Sequence, residues 1–182
     1  MKTDKIRIGS AQFGSKYGIS NLGNKVSIKE VEKILELCEE NNINKIDTAS
    51  EYGDTEEILG SIGIPNWKVQ SKFYLKKEFF NQIEKNIKKN VENSLKRLNV
   101  KKLDSLLLHN EDQLLDTKKK EIYSSLESLK SDGYISNFGV SFYNPDKLID
   151  TITAYDKDTH EITITTNNII KNGANIDLVP RF

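Results

Sequence analysis

The stretch WKVQSKFYLKKEFFNQIEKNIKKNVENSLKRLNVKKLDSLLLH, Trp67 to His109, holds a complete strand–helix–strand unit. It opens on WKVQSKF, a short strand candidate from Trp67 to Phe73. Phe80, Ile83, Ile87, Val91, Leu95 and Leu98 then recur three or four residues apart, which predicts one buried face of a long helix. Leu103 to His109 is a nearly unbroken apolar run, as expected of a strand covered on both faces.

The alternation continues on both sides. Upstream, the apolar run Ile6 to Phe13 precedes a Gly-rich loop, GSKYGISNLGN. Ser27-Ile28-Lys29-Glu30 reads as a capping box, the serine accepting the Glu30 N–H. The helix after it places Val31, Ile34, Leu35 and Cys38 on one face and ends at Asn41 and Asn42. Ile43 to Thr48 is the second strand candidate. Asp54-Thr55-Glu56-Glu57 starts a short helix with acids in its first turn, closed by Gly60, Gly63 and Pro65. Downstream, a helix from Thr117 to Leu129 ends at Asp132-Gly133, and Ile135 to Ser141 is the fifth strand. Asn144-Pro145 begins another helix, and Glu161 to Thr166 is a candidate sixth strand. Such a rhythm indicates parallel βαβ units.

The 182 residues carry 27 basic and 27 acidic side chains, a net charge of zero. A nucleic-acid binder would show a basic excess, and a membrane-surface protein a polybasic block. No run approaches the ~18 apolar residues that span a bilayer. The start, MKTDKIRIGS, has no apolar core of a secretory signal. Cys38 is the single cysteine, so no intrachain disulfide or thiolate zinc site is expected, which fits a reducing, cytoplasmic setting.

Five or six repeats suit either a doubly wound open sheet or a barrel. The first loop lacks the G-x-G-x-x-G spacing of a dinucleotide-binding open sheet, and no P-loop sequence occurs. The ionisable residues fall in a pattern of their own. Asp47 ends the second strand, Tyr52 follows in the next loop, Lys72 ends the third strand and His109 ends the fourth. The carboxyl edge of parallel strands is where barrels build active sites. A tyrosine hydroxyl, with an ordinary pKa of about 10, releases a proton more readily beside an ammonium. Lys72 could supply that charge, Asp47 could pair with the lysine, and His109 could orient a substrate oxygen. Each residue also has a plainer reading: a surface lysine, a turn-capping aspartate, a packed tyrosine, a satisfied histidine. Their joint placement favours chemistry.

These residues lie in segments that resemble the aldo-keto reductase family. IDTASEYGDTEEILG resembles its signature, VQSKF its lysine strand, LDSLLLHN its histidine strand and GYISNFGVSFYNPDKL its fifth-strand segment. IRIGSAQFGSKYGISN resembles a bacterial branch. The resemblance spans roughly residues 5 to 155 and implies a (β/α)₈ TIM barrel that reduces aldehydes or ketones with NADPH, without a metal. It gives Tyr52 the role of proton donor, Lys72 that of its charged neighbour, Asp47 that of the lysine's partner and His109 that of substrate orienter. Ser141 matches a position that contacts the nicotinamide carboxamide, and Ser10 and Asp47 match positions near the ribose. Phe13 and Tyr17 are candidate pocket residues.

Departures accompany the likeness. Phe142 stands where many members carry asparagine. In ITITTNNII only Asn168 retains a match to the sixth-strand cofactor motif. Segments matching the seventh and eighth strands, whose loops hold the adenosine phosphate, are missing. A barrel of about 250 residues has about 31 per unit, so this chain accounts for five to six units. The expectation is a single partial domain over residues 1–182, truncated at its carboxyl end, with 161–182 a divergent tail. Exposed strand edges in an incomplete barrel invite self-association. Two rival readings stand: an inactive remnant or interaction module, and a Schiff-base enzyme using Lys72, in which Tyr52 and Asp47 have no special place.

Overall fold

The computed structural model describes residues 6–17, 25–113, 118–142 and 163–166. Six strands, β1 (Ile8–Gly9), β2 (Lys45–Asp47), β3 (Lys68–Phe73), β4 (Leu103–Leu108), β5 (Ile135–Phe142) and β6 (Thr163–Thr166), form one sheet in chain order. Every neighbouring pair is parallel. Helices α1 (Ala11–Gly14), α2 (Ile28–Glu40), α3 (Thr55–Ile62), α4 (Ile83–Leu98) and α5 (Lys119–Ser131) alternate with the strands. A parallel sheet with one crossover per strand and no reversal of order is the arc of a (β/α)₈ barrel, here an incomplete one. An open doubly wound sheet would reverse its strand order at a switch point.

Local chemistry explains the element ends. Ser27 accepts the Glu30 N–H at 3.3 Å and starts α2, as the capping box predicts. Val31, Leu35 and Cys38 of that helix are buried, and Ile34 packs at the edge of the core. Burial pushes the Cys38 thiol pKa up, and the neighbouring Glu39 charge adds to it. Asn42 and Asn99 adopt the left-handed conformation after α2 and α4, which asparagine tolerates. In α4, Ile83, Ile87, Val91 and Leu98 are fully buried against the sheet. Each such side chain contributes about 1.5–3 kcal/mol through removal from water.

Three expectations need correction. The first apolar run is a strand only at Ile8–Gly9. The Ser10 N–H bonds Asp47 O at 3.0 Å, and the Phe13 N–H then bonds Ser10 O, turning the chain into α1. Phe80 belongs to a 3₁₀ segment, Lys77–Gln82, because Gln82 (φ −145°, ψ 50°) interrupts the spiral before α4. Gly60 does not close α3; it lies inside it, where a side chain would collide with the backbone at Arg97 of α4. Gly63 (φ 91°) ends the helix. The helix start at Asn144-Pro145 lies outside the described residues, as does the tail 161–182 except for Thr163–Thr166. Among the described residues no helix is long and apolar enough to cross a membrane.

Gly14 ends α1 against the loop that follows β2, where a Cβ would fall on the Thr55 backbone nitrogen and the Tyr52 carbonyl. Gly14→Ala forces that loop outward, and we expect it to destabilise the fold by about 1–3 kcal/mol, as overpacking does. A urea melt of the variant beside the wild type measures the difference.

Candidate active site

The parallel register decides which side chains meet. Asp47 lies opposite Gln70, and Lys72 opposite Leu107, so the last residues of β2, β3 and β4 share one rim. Side chains alternate along a strand, which puts Gln70 and Lys72 on the same face of β3. Lys72 is fully buried and Asp47 is 4% exposed. The lysine Nζ donates to Asp47 Oδ1 at 2.7 Å, to Oδ2 at 2.6 Å and to the Thr48 carbonyl at 3.0 Å. Gln70 Nε2 donates to Asp47 Oδ1 at 2.8 Å. A charge this deep persists only when paired and hydrogen-bonded, and here both conditions are met.

Tyr52 sits above this pair. The loop carrying it is pinned by hydrogen bonds from the Ser50 N–H to the Lys72 carbonyl (2.9 Å) and from the Tyr52 N–H to the Ala49 carbonyl (3.1 Å). Its far side is held by Thr55, whose hydroxyl donates to the Tyr52 carbonyl at 2.7 Å. The Tyr52 ring is mostly buried, with the Lys72 Nζ 5.2 Å from its centroid. An ammonium at that range favours the phenolate over the phenol. His109, directly after β4, is fixed by a backbone bond to the Phe73 carbonyl at 2.9 Å. Its ring stands edge-on to Tyr52, centroids 5.7 Å apart. Asp47, Tyr52, Lys72 and His109 are therefore brought together at one rim.

The other expected site residues are placed as follows. The Ser10 hydroxyl donates to the Asp47 carbonyl at 2.8 Å and joins the ends of β1 and β2. Ser141 is buried near the end of β5, and Phe142 beside it belongs to the hydrophobic core. Phe13 is also a core residue, 4% exposed. Tyr17 is exposed, its ring centroid 6.4 Å from that of Tyr52. Asn168 lies outside the described residues.

Two groups escaped the sequence reading. Glu51 faces His109, its Oε2 3.2 Å from Nδ1, and accepts the Ser50 hydroxyl at 2.8 Å. Partial burial pushes the Glu51 carboxyl up, but the hydrogen bonds from His109 and Ser50 outweigh it and hold the group below the usual carboxylate range. Behind the rim, buried Glu56 accepts the Ser71 hydroxyl at 2.7 Å through one oxygen. Through the other it takes Arg97 Nε at 2.8 Å and Nη2 at 2.5 Å. This carboxylate ties α3 and α4 to the residue preceding Lys72. Its only sequence signal is the glutamate in the IDTASEYGDTEEILG segment, and Arg97 has none.

A parallel barrel arc thus sets a buried lysine–carboxylate pair beside a tyrosine and a histidine at its strand ends. The family model described as the aldo/keto reductase family matches residues 5–172, and the chain belongs to that family. Among solved structures it is similar to PA4992 of Pseudomonas aeruginosa, assigned to the aldo-keto reductases, at 25% identity and a TM-score of 0.68. That alignment covers 87% of this chain and 62% of PA4992. The holo form of the aldo-keto reductase AKR11C1 from Bacillus halodurans aligns at 22% identity and a TM-score of 0.68, over 89% of this chain and 52% of its own. The thermostable aldo-keto reductase Tm1743, solved with the inhibitor epalrestat, aligns at 21% identity and a TM-score of 0.66, over 92% and 59%. The chain thus spans about half to three-fifths of the length of these structures. No curated protein matches it.

Proposed function

We propose that the chain reduces an aldehyde or ketone to the alcohol with NADPH as cofactor. The observation that carries this reading is the buried Lys72–Asp47 pair beside the Tyr52 ring. A Schiff-base lysine needs a neutral amine; a lysine locked bidentate on a buried carboxylate is poorly placed to be one. As an ammonium it acts instead on its neighbour, the tyrosine hydroxyl.

In this mechanism the Tyr52 hydroxyl gives its proton to the substrate's carbonyl oxygen, and the Lys72 ammonium stabilises the phenolate left behind. Asp47 holds the ammonium in place, with Gln70 fixing the carboxylate in turn. His109 orients the substrate by a hydrogen bond to one of its oxygens. A nicotinamide held at this rim would supply the hydride for the carbonyl carbon. The described residues suit the nicotinamide end of such a cofactor. Ser10, Asp47 and Ser141 lie at or near strand ends on one rim.

Titration of the purified chain with NADPH tests the reading. Quenching of Trp67 and tyrosine fluorescence, followed by loss of the reduced-nicotinamide absorbance when an aldehyde is added, is the expected result. No change at millimolar NADPH would overturn it in favour of a non-enzymatic module.

A further inference from the structure

Glu56 has no step in the proposed mechanism, yet it is 1% exposed in the first turn of α3. Its Oε1 accepts the Ser71 hydroxyl at 2.7 Å, and its Oε2 accepts Arg97 Nε at 2.8 Å and Nη2 at 2.5 Å. Arg97, on α4, is held in turn by the Ser94 hydroxyl oxygen, which accepts from Nη2 at 3.2 Å. Ser71 is fully buried, and side chains alternate along β3. Ser71 therefore turns toward the helices while Lys72, the next residue, turns toward Asp47. The residue before Glu56 grips the other side of the site. The Thr55 hydroxyl donates to the Tyr52 carbonyl at 2.7 Å, and the Thr55 N–H bonds the same oxygen at 3.2 Å. Two consecutive residues of one helical turn thus hold the backbone of Tyr52 and the strand that carries Lys72.

Resting on the reductase reading, we infer that Glu56 is a positioning residue: through its bond to Ser71 it fixes how far the Lys72 ammonium stands from the Tyr52 ring. That distance is 5.2 Å to the ring centroid. The effect of a charge falls with distance, so a strand end free to slide weakens the ammonium's hold on the phenolate. Stability alone does not call for this arrangement. Apolar side chains of similar volume often replace a buried ion pair without loss, whereas this carboxylate locks three directed bonds. Around the Tyr52 ring stand Lys72 from β3, paired with Asp47 of β2, then His109 after β4, in contact with Glu51, and Tyr17 after α1. Ser71 is uncharged, so its hydroxyl can be removed without altering any of these charges.

Two measurements on the full chain test this. Ser71→Ala removes one oxygen and leaves the Glu56–Arg97 pair in place, while Ser71→Thr keeps the hydroxyl. The first measurement is a pH titration by NMR with carbon-13 at the tyrosine Cζ. Tyr52 is assigned among the seven tyrosines by its loss in Tyr52→Phe. The expected result is a Tyr52 midpoint higher by about half a pH unit or more in Ser71→Ala, and one returned to the wild-type value in Ser71→Thr. A midpoint unmoved in Ser71→Ala, or moved equally in Ser71→Thr, would overturn the role of Glu56. This titration needs neither cofactor nor turnover, so it stands apart from the reductase reading.

The second is steady-state reduction of a panel of aldehydes and ketones with NADPH. We expect Ser71→Ala to lower kcat about 10- to 100-fold at unchanged KM, as a displacement of up to about 1 Å can, and Ser71→Thr to restore it. A kcat equal to wild type in Ser71→Ala refutes the positioning of the proton donor. If the wild type reduces nothing in the panel, the reductase reading falls, and the titration alone decides the role of Glu56.

Discussion

We expect Tyr52→Phe to abolish the proposed carbonyl reduction while leaving the fold intact. The ring contact with His109 and the bracing of the Tyr52 carbonyl by Thr55 remain in the variant. What disappears is the proton given to the carbonyl oxygen. General acid catalysis is worth about 10²–10⁴ in rate. We expect the loss to reach the upper part of that range, because the proposed mechanism gives the proton transfer to this hydroxyl alone. Steady-state consumption of NADPH measures the loss, with NADPH binding by fluorescence and the urea midpoint as controls. Activity equal to wild type would remove the proton-donor role from Tyr52. A collapse of cofactor binding alongside activity would instead make the hydroxyl a binding group.

Lys72→Met strikes both function and stability. The ammonium donates to both carboxylate oxygens of Asp47 and to the Thr48 carbonyl. Methionine matches its length but leaves the carboxylate buried and accepting from Gln70 Nε2. Removing one member of a buried ion pair costs about 3–5 kcal/mol, a large share of the 5–15 kcal/mol that holds a domain together. Activity falls at the same time, since the phenolate of Tyr52 loses the charge that favours it. The double variant Asp47→Asn with Lys72→Met separates the two effects. It removes the orphaned charge, so the urea midpoint recovers in part, while reduction stays absent. A double variant as unstable as the single one would show that the charge of Asp47 is not the source of the instability.

The sequence carried the frame of the fold because periodicity is a local property. Leu103–Leu108 reads as a doubly covered strand from its apolar run, and Ile83, Ile87 and Val91 read as a helix face from their spacing. Asp47, Lys72 and His109 were legible as a site because parallel pairing puts successive strand ends on one rim, whatever lies between. Details set by tertiary contact were not legible. Ile6 to Phe13 is apolar enough for one strand, and only the capture of Ser10 by the Asp47 carbonyl breaks it after Gly9. Gly60 resembles a helix terminator until the backbone of α4 is placed against it. The pairing of Glu51 with His109 joins positions far apart in the chain, and no local pattern links them. Phe13, a candidate pocket residue that could equally pack, lies in α1 and is buried in the core.

The strand order carries a consequence for how the protein is made. Each strand from β2 to β6 pairs with the one that precedes it in the chain. A segment leaving the ribosome therefore finds its partner already synthesised, and no strand has to wait for a distant one. Asp47 is the first of the charged rim residues to emerge, and Lys72 follows on the next strand. The Lys72–Asp47 pair can close while α4, which later packs against α3, is still unmade, which puts this buried pair among the earliest parts of the molecule to take shape.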